Sequence, residues 1–260
     1  MKLYEKISAL LSTLPEVEAV ALSGSSTALI NDEFSDYDIY VYYTSPISRK
    51  TRKSLLGDLG KGSFGCSLFE EGDLIEPENE VSADIMYRDL KWIENQIGDV
   101  WEKHYSRLGY TTCFIFNVKN SVILFDRNGL LKKLIERCST PYPEQLRKNI
   151  IEMNLSMIDN DHTYNFRDQI ATAVARKDLV SINHRVAAFL ACYFDILLAI
   201  SRELHPGEKK LIKYAEALNL RKPIDFENDI NRILSSTYTD IEQLPALLDE
   251  TVEKLKNLID

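Results

Sequence analysis

Apolar and polar positions along the first half of the chain switch between two periods. Leu3, Ile7, Leu10 and Leu11 recur at helical spacing over residues 2–13, and Pro15 ends that run. Residues 17–22 form an apolar run of strand length, and residues 37–43 form a second, with Tyr37, Ile39 and Val41 sharing one face. Between them the pattern predicts a turn at Gly24-Ser25, a helix beginning over 25–30 and a polar loop over 31–35. Further on it predicts a helix over 47–56 and a glycine-rich mobile loop over 57–72 that contains a short strand at 66–69. A strand over 80–87 and a helix over 89–105 follow. Next come two β-rich runs at 111–118 and 121–125, a turn at 126–129 and a helix over 130–138.

Pro141 and Pro143 flank a break in this periodicity and mark the best boundary in the chain. Beyond it only helical spacing recurs, over 144–159, 163–176, 179–204, 208–218, 227–234 and 241–259. The expected fold class is α/β (α+β). Residues 1–140 form a mixed sheet with flanking helices, and residues 141–260 form an all-α helical bundle. A cleft between two such halves is a natural place for a ligand.

Composition narrows the function classes. At 45% hydrophobic residues over 260 positions the chain has enough apolar material for a real core. The net charge of −9 and the absence of a basic run argue against long nucleic acid as a partner. Cys66, Cys113, Cys138 and Cys192 show no zinc spacing and read as reduced, buried thiols of a cytoplasmic protein. The N-terminus does not read as a signal peptide. The most apolar segment, residues 186–200, is broken by Asp195 and falls short of the roughly 20 residues a bilayer span needs. It reads as a buried core helix, and no membrane partner is expected.

The candidate chemistry lies in residues 22–43. Asp36 and Asp38 open the second strand at positions i and i+2, so both carboxylates share a face. Like charges that close repel unless a cation sits between them. Oxygen ligands of this kind suit Mg²⁺, which is held by one or two carboxylates plus substrate phosphates. Gly24 and Ser25 form a strand-to-helix turn whose N–H groups can face a phosphate. Tyr40 and Tyr42 share the face of the aspartates and are expected to pack beneath it. His104, His162, His184 and His205 have no metal spacing.

Gly-Ser, a gap of ten residues and Asp-x-Asp resembles the signature of the DNA polymerase β-type nucleotidyltransferase superfamily. Its small-molecule members include the aminoglycoside and lincosamide nucleotidyltransferases. The helical remainder is similar to that of uncharacterised two-domain relatives. The resemblance implies a nucleotidyltransferase fold for the first half and an enzyme of the EC 2.7.7 type. Such an enzyme moves a nucleoside monophosphate from an NTP such as ATP to the hydroxyl of a small-molecule acceptor and releases pyrophosphate. It further implies Mg²⁺ as cofactor, held by Asp36, Asp38 and a third carboxylate from a later strand. That third group is Asp84, with Glu80 as its alternative, and it either completes the metal site or takes the acceptor's proton. Gly24 and Ser25 would grip the phosphates, and a basic residue of the helical half, Lys209, would reach the triphosphate. Residues 86–93 and 123–130 also resemble these relatives, and the second stretch is assigned a structural turn. Two other readings stay open: transfer to a protein hydroxyl, and a non-catalytic nucleotide-binding module. The sequence sets neither the acceptor, the base of the NTP nor the oligomeric state.

Overall fold

The computed structural model describes residues 1–24, 36–66, 70–160 and 164–259. They gather into two compact units. The first is Met1–Glu102 with Phe114–Pro141, and the second is Lys103–Cys113 with Tyr142–Asp260.

The first unit is built on a six-stranded mixed sheet. β1 (Val17–Ser23) lies antiparallel between β2 (Tyr37–Tyr43) and β6 (Val122–Asp126). β2 runs parallel to β5 (Ala83–Asp89), and β5 pairs antiparallel with β4 (Gly72–Glu76). β4 pairs with β3 (Lys61–Cys66), so the order across the sheet is β3-β4-β5-β2-β1-β6. Every residue of β1 is buried, which suits an inner strand covered on both faces. On one face Val20, Leu22, Ile39, Val41, Ile85 and Tyr87 pack with α1 (Leu3–Leu11) and α2 (Arg49–Leu56). Ser48 starts α2 by accepting from the Thr51 amide. Asp89 does the same for α3 (Leu90–Ile97) through the Trp92 amide.

Two expectations change here. The glycine-rich stretch 57–72 carries the β3–β4 pairing rather than a loop, and of the expected strand at 66–69 only Cys66 falls among the described residues. Gly65, at φ 72°, bends β3, and its amide donates to the Asp73 carboxylate at 2.8 Å, so pairing compensates for the weak strand propensity of glycine. Residues expected as a strand over 111–118 contain α4 (Cys113–Lys119) instead. A short apolar run rich in β-branched and aromatic residues does not tell helix from strand, and burial of Ile115 and Val118 one turn apart decides it. The turn at 126–129 holds its structural role. Gly129 takes φ 71°, and the Asp126 carboxylate accepts from the Lys132 amide at the start of α5 (Leu130–Cys138). The expected helix over 25–30 lies outside the described residues.

The second unit is helical, with no strand among its described residues. It comprises α6 (Glu144–Ile158), α7 (Phe166–Ala175), α8 (Leu179–Ile200), α9 (Leu211–Ala217), α10 (Phe226–Thr239) and α11 (Leu244–Ile259). α8 is long and apolar enough to cross a bilayer by length and composition. Here Cys192–Ile200 is buried throughout, and α6, α7, α10 and α11 pack against the helix. Asp195 is a titratable group inside this core. Its carboxylate accepts from the Thr111 hydroxyl at 2.6 Å, the Thr111 amide at 3.2 Å and the Asn154 side chain at 3.2 Å. These bonds fasten the excursion 103–113 to α6 and α8, a link between distant segments that hydrophobic spacing does not announce.

Candidate active site

Strand pairing sets out the site row by row. Ser23, at the end of β1, is opposite Asp38 near the start of β2, and Asp38 is in register with Asp84 near the start of β5. Residues in register on neighbouring strands share a face. Ser23, Asp38 and Asp84 therefore form one polar row across three adjoining strands. Both carboxylates are only partly shielded, whereas Ile39 and Ile85, one residue on, point into the opposite core.

Gly24 follows directly at φ 66°. A Cβ placed on it would stand 1.9 Å from the Asp38 Oδ2 atom. The turn thus brings bare backbone against the carboxylate, and only glycine permits both that approach and that conformation.

A cavity of about 490 Å³ opens on the same face, with Asp84, Tyr40, Arg88, Glu70, Cys66 and Phe114 in its wall. Arg88 lies two pleats along β5 from Asp84, again on the shared face. Its guanidinium stacks on Tyr40 at 3.9 Å from the ring centre. Its Nη1 donates to the Asn117 side-chain oxygen at 2.6 Å, and its Nε to both oxygens of Glu70 at 2.9 Å. The Asn117 amide nitrogen in turn donates to the Ser23 hydroxyl at 2.9 Å. This chain of bonds runs from α4 through the row of Ser23 to the cavity. Tyr40 packs under Arg88, and burial pushes its phenol up to about 12 despite the nearby guanidinium. Tyr42 is wholly buried beside it.

The other expected residues are placed as follows. Asp36 is exposed and immediately precedes β2, where the Tyr37 amide continues the ladder to Ser82. Among the described residues no three His, Cys, Asp or Glu side chains gather as a metal-binding group. Ser25 lies outside the described residues. Lys209 is exposed in a turn of the second unit, and α9 begins two residues later, at Leu211, rather than at 208. Glu80, the alternative third carboxylate, is engaged elsewhere: it accepts from the Leu3 amide at 2.6 Å and pairs with Lys6 at 3.4 Å. Cys66 is exposed, against the expectation of four buried thiols. Arg88, Asn117 and Glu70 were not singled out by sequence as site residues. The spacing Asp84-x-x-x-Arg88 on one strand face was the available signal for the first, and reading α4 as a strand hid the second.

Residues 109–211 match the model of a family described as a domain of unknown function, DUF4037. No curated protein sequence matches the chain. Among solved structures, a nucleotidyltransferase-like protein from Exiguobacterium sibiricum aligns over 97% of this chain and 72% of its own, at 10% identity and a TM-score of 0.45. An aminoglycoside 6-adenyltransferase from Bacillus subtilis aligns over 100% and 92%, at 12% identity and a TM-score of 0.31.

Proposed function

We propose that the protein is a Mg²⁺-dependent nucleotidyltransferase that moves a nucleoside monophosphate from an NTP to a hydroxyl of a small-molecule acceptor. The observation that carries this reading is the row Ser23–Asp38–Asp84, closed at one end by the bare backbone of Gly24. Two carboxylates in register would repel in an isolated fold, and a shared cation relieves that repulsion. The residues fit Mg²⁺, since that ion needs only one or two carboxylates when phosphates complete its shell. Asp38 and Asp36 would hold it, with Asp84 as third ligand or as base. When bound, the ion neutralises charge developing on the phosphates and orients the attack.

In this reading Gly24 and Ser25 would grip the β- and γ-phosphates, and a basic residue such as Lys209 would offset their charge. The acceptor oxygen forms a bond to the α-phosphorus as the α–β phosphoanhydride bond breaks, its bridging oxygen leaving with pyrophosphate. Where Asp84 serves as the base, the acceptor's proton passes to its carboxylate. The test is pyrophosphate release from each NTP across a panel of hydroxylated small molecules, aminoglycosides included. Transfer that needs Mg²⁺ and is lost in Asp38→Asn is the expected result, and transfer that survives Asp38→Asn would reject the assignment.

A further inference from the structure

The first unit holds two buried arginines, and they are neutralised in different ways. Arg52 is wholly buried. It pairs with Glu71 at 2.6 Å and with the equally buried Asp73 at 3.0 Å, and lies over the Tyr87 ring at 4.4 Å. Asp73 is fixed in β4, and both its oxygens are engaged, by the Gly65 amide and the Tyr87 hydroxyl. Two carboxylates thus meet the Arg52 charge, one of them wholly buried.

Arg88 differs. Two of its contacts, the Tyr40 ring and the Asn117 amide oxygen, are neutral groups that aim the guanidinium without cancelling its charge. The carboxylate that meets it belongs to Glu70, which lies just before β4 on the connection from β3 and keeps 21% of its side chain in solvent. Neighbouring residues on that connection thus serve opposite faces, Glu71 going to Arg52 and Glu70 to Arg88. Both Glu70 oxygens share the Nε proton of Arg88, while Arg88, Glu70 and Asp84 all line the same cavity. A phosphate offers a guanidinium the same paired oxygens as a carboxylate, with more charge.

We propose that Arg88 is a phosphate-binding residue of this cavity and that Glu70 is an internal stand-in for that phosphate, displaced when a polyphosphate enters. The inference deepens the nucleotidyltransferase reading and rests on it for the identity of the natural ligand. Glu70 sits outside the strand ladder and partly in water, so it can leave without breaking the sheet. Asn117 and Tyr40 keep Arg88 in place as it does so. The cost of this design is a weaker apparent affinity, since the incoming anion competes with a tethered carboxylate.

The experiment is equilibrium binding of inorganic tripolyphosphate to the full chain, by calorimetry at fixed ionic strength. Glu70→Gln is expected to bind it about tenfold more tightly than the parent, about 1.4 kcal/mol. In Glu70→Gln/Arg88→Gln the gain is expected to vanish, which separates a specific exchange from the general effect of removing a negative charge. Should the double variant not fold, Glu70→Gln/Arg88→Lys keeps the charge without the fork and is expected to lose most of the gain. No tightening in Glu70→Gln, or tightening that persists without Arg88, overturns the proposal. Pyrophosphate release from NTPs is read separately. Turnover with no effect of Glu70→Gln sinks the stand-in alone, whereas tightening through Arg88 without turnover under any acceptor sinks the enzymatic reading and leaves this one.

Discussion

Asp38 and Asp84 are register partners on adjoining parallel strands, so two carboxylates start their strands side by side on one face. Parallel neighbours need a crossover, and here β3, β4 and α2 all intervene between β2 and β5. The pair is therefore a product of topology and could not arise from a local turn. In the proposed function this pair holds a cation whose shell phosphate oxygens complete.

The approach of Gly24 to Asp38 is the tightest constraint in the site. Gly24→Ala would place a methyl group 1.9 Å from Asp38 Oδ2 at φ 66°. Asp38 must move, and the left-handed backbone costs a further 1–2 kcal/mol or about that. Pyrophosphate release is expected to fall by about two orders of magnitude, of the size seen when a group that positions charge is displaced. Urea unfolding is expected to show only the modest backbone penalty. Unchanged turnover would mean that Asp38 does not act where it stands.

Cys66 reports on the cavity. It lines the wall with Asp84 and Arg88 and is exposed, whereas burial pushes the thiols of Cys138 and Cys192 up to about 12. Iodoacetamide followed by peptide mass spectrometry is expected to find Cys66 modified well before those two. Mg²⁺ with the preferred NTP is expected to slow that modification severalfold. Equal rates with and without nucleotide would place the ligand elsewhere.

In the second unit Asp195 and His205 are buried titratable groups whose shifts run in opposite directions. Burial raises Asp195 from 3.8 to about 7, and it lowers His205 from 6.5 to about 3. The contribution of Asp195 is fully present below pH about 4 and is lost as the pH rises toward 7, because ionising the buried carboxyl is unfavourable. The contribution of His205 is present above pH about 6.5 and is lost as the pH falls toward 3. Between pH 4 and 6.5 the two slopes oppose each other at about 1.4 kcal/mol per pH unit each, and their sum is nearly flat. Asp195→Asn is expected to make stability climb with pH across that window, and His205→Gln to make it fall. Urea midpoints at pH 4.5, 5.5 and 6.5 check both signs, and parallel profiles in all three proteins would contradict the account.

Arg52 should matter to stability and Arg88 to binding. Removing Arg52 leaves Asp73, with none of its side chain in solvent, as an uncompensated buried charge. Arg52→Ala is expected to cost about 3–5 kcal/mol in urea unfolding. A cost below about 1 kcal/mol would show that the buried pair is not what holds α2 against β4 and β5.

Much of this site was legible in the chain. The alternation Asp38-Ile39-Tyr40-Val41 places one carboxylate face and one core face, and β2 realises it residue by residue. The apolar strand around Asp84 sets that carboxylate on the same face for the same reason. What stayed hidden depends on pairing between distant segments. Glu80 and Asp84 look equivalent on an extended strand, yet β5 begins at Ala83, and Glu80 turns back to the amide of Leu3. Asn117 reaches Ser23 only because residues 113–119 coil into a helix, a choice made by burial of Ile115 and Val118 and not by their β-branched character. Glu70 and Glu71 differ only in the face each serves, which the sheet decides.

The most direct test of the central claim is thermal unfolding with each of the four NTPs, with and without Mg²⁺, in the parent protein and in Asp38→Asn. A ligand that binds only the folded state adds about 2.7 kcal/mol at a hundredfold excess over its dissociation constant. The account predicts a raised midpoint with at least one NTP that requires Mg²⁺ and disappears in Asp38→Asn. A midpoint that no NTP moves, or one that moves equally in Asp38→Asn, would contradict a nucleotide site built on Asp38 and Asp84.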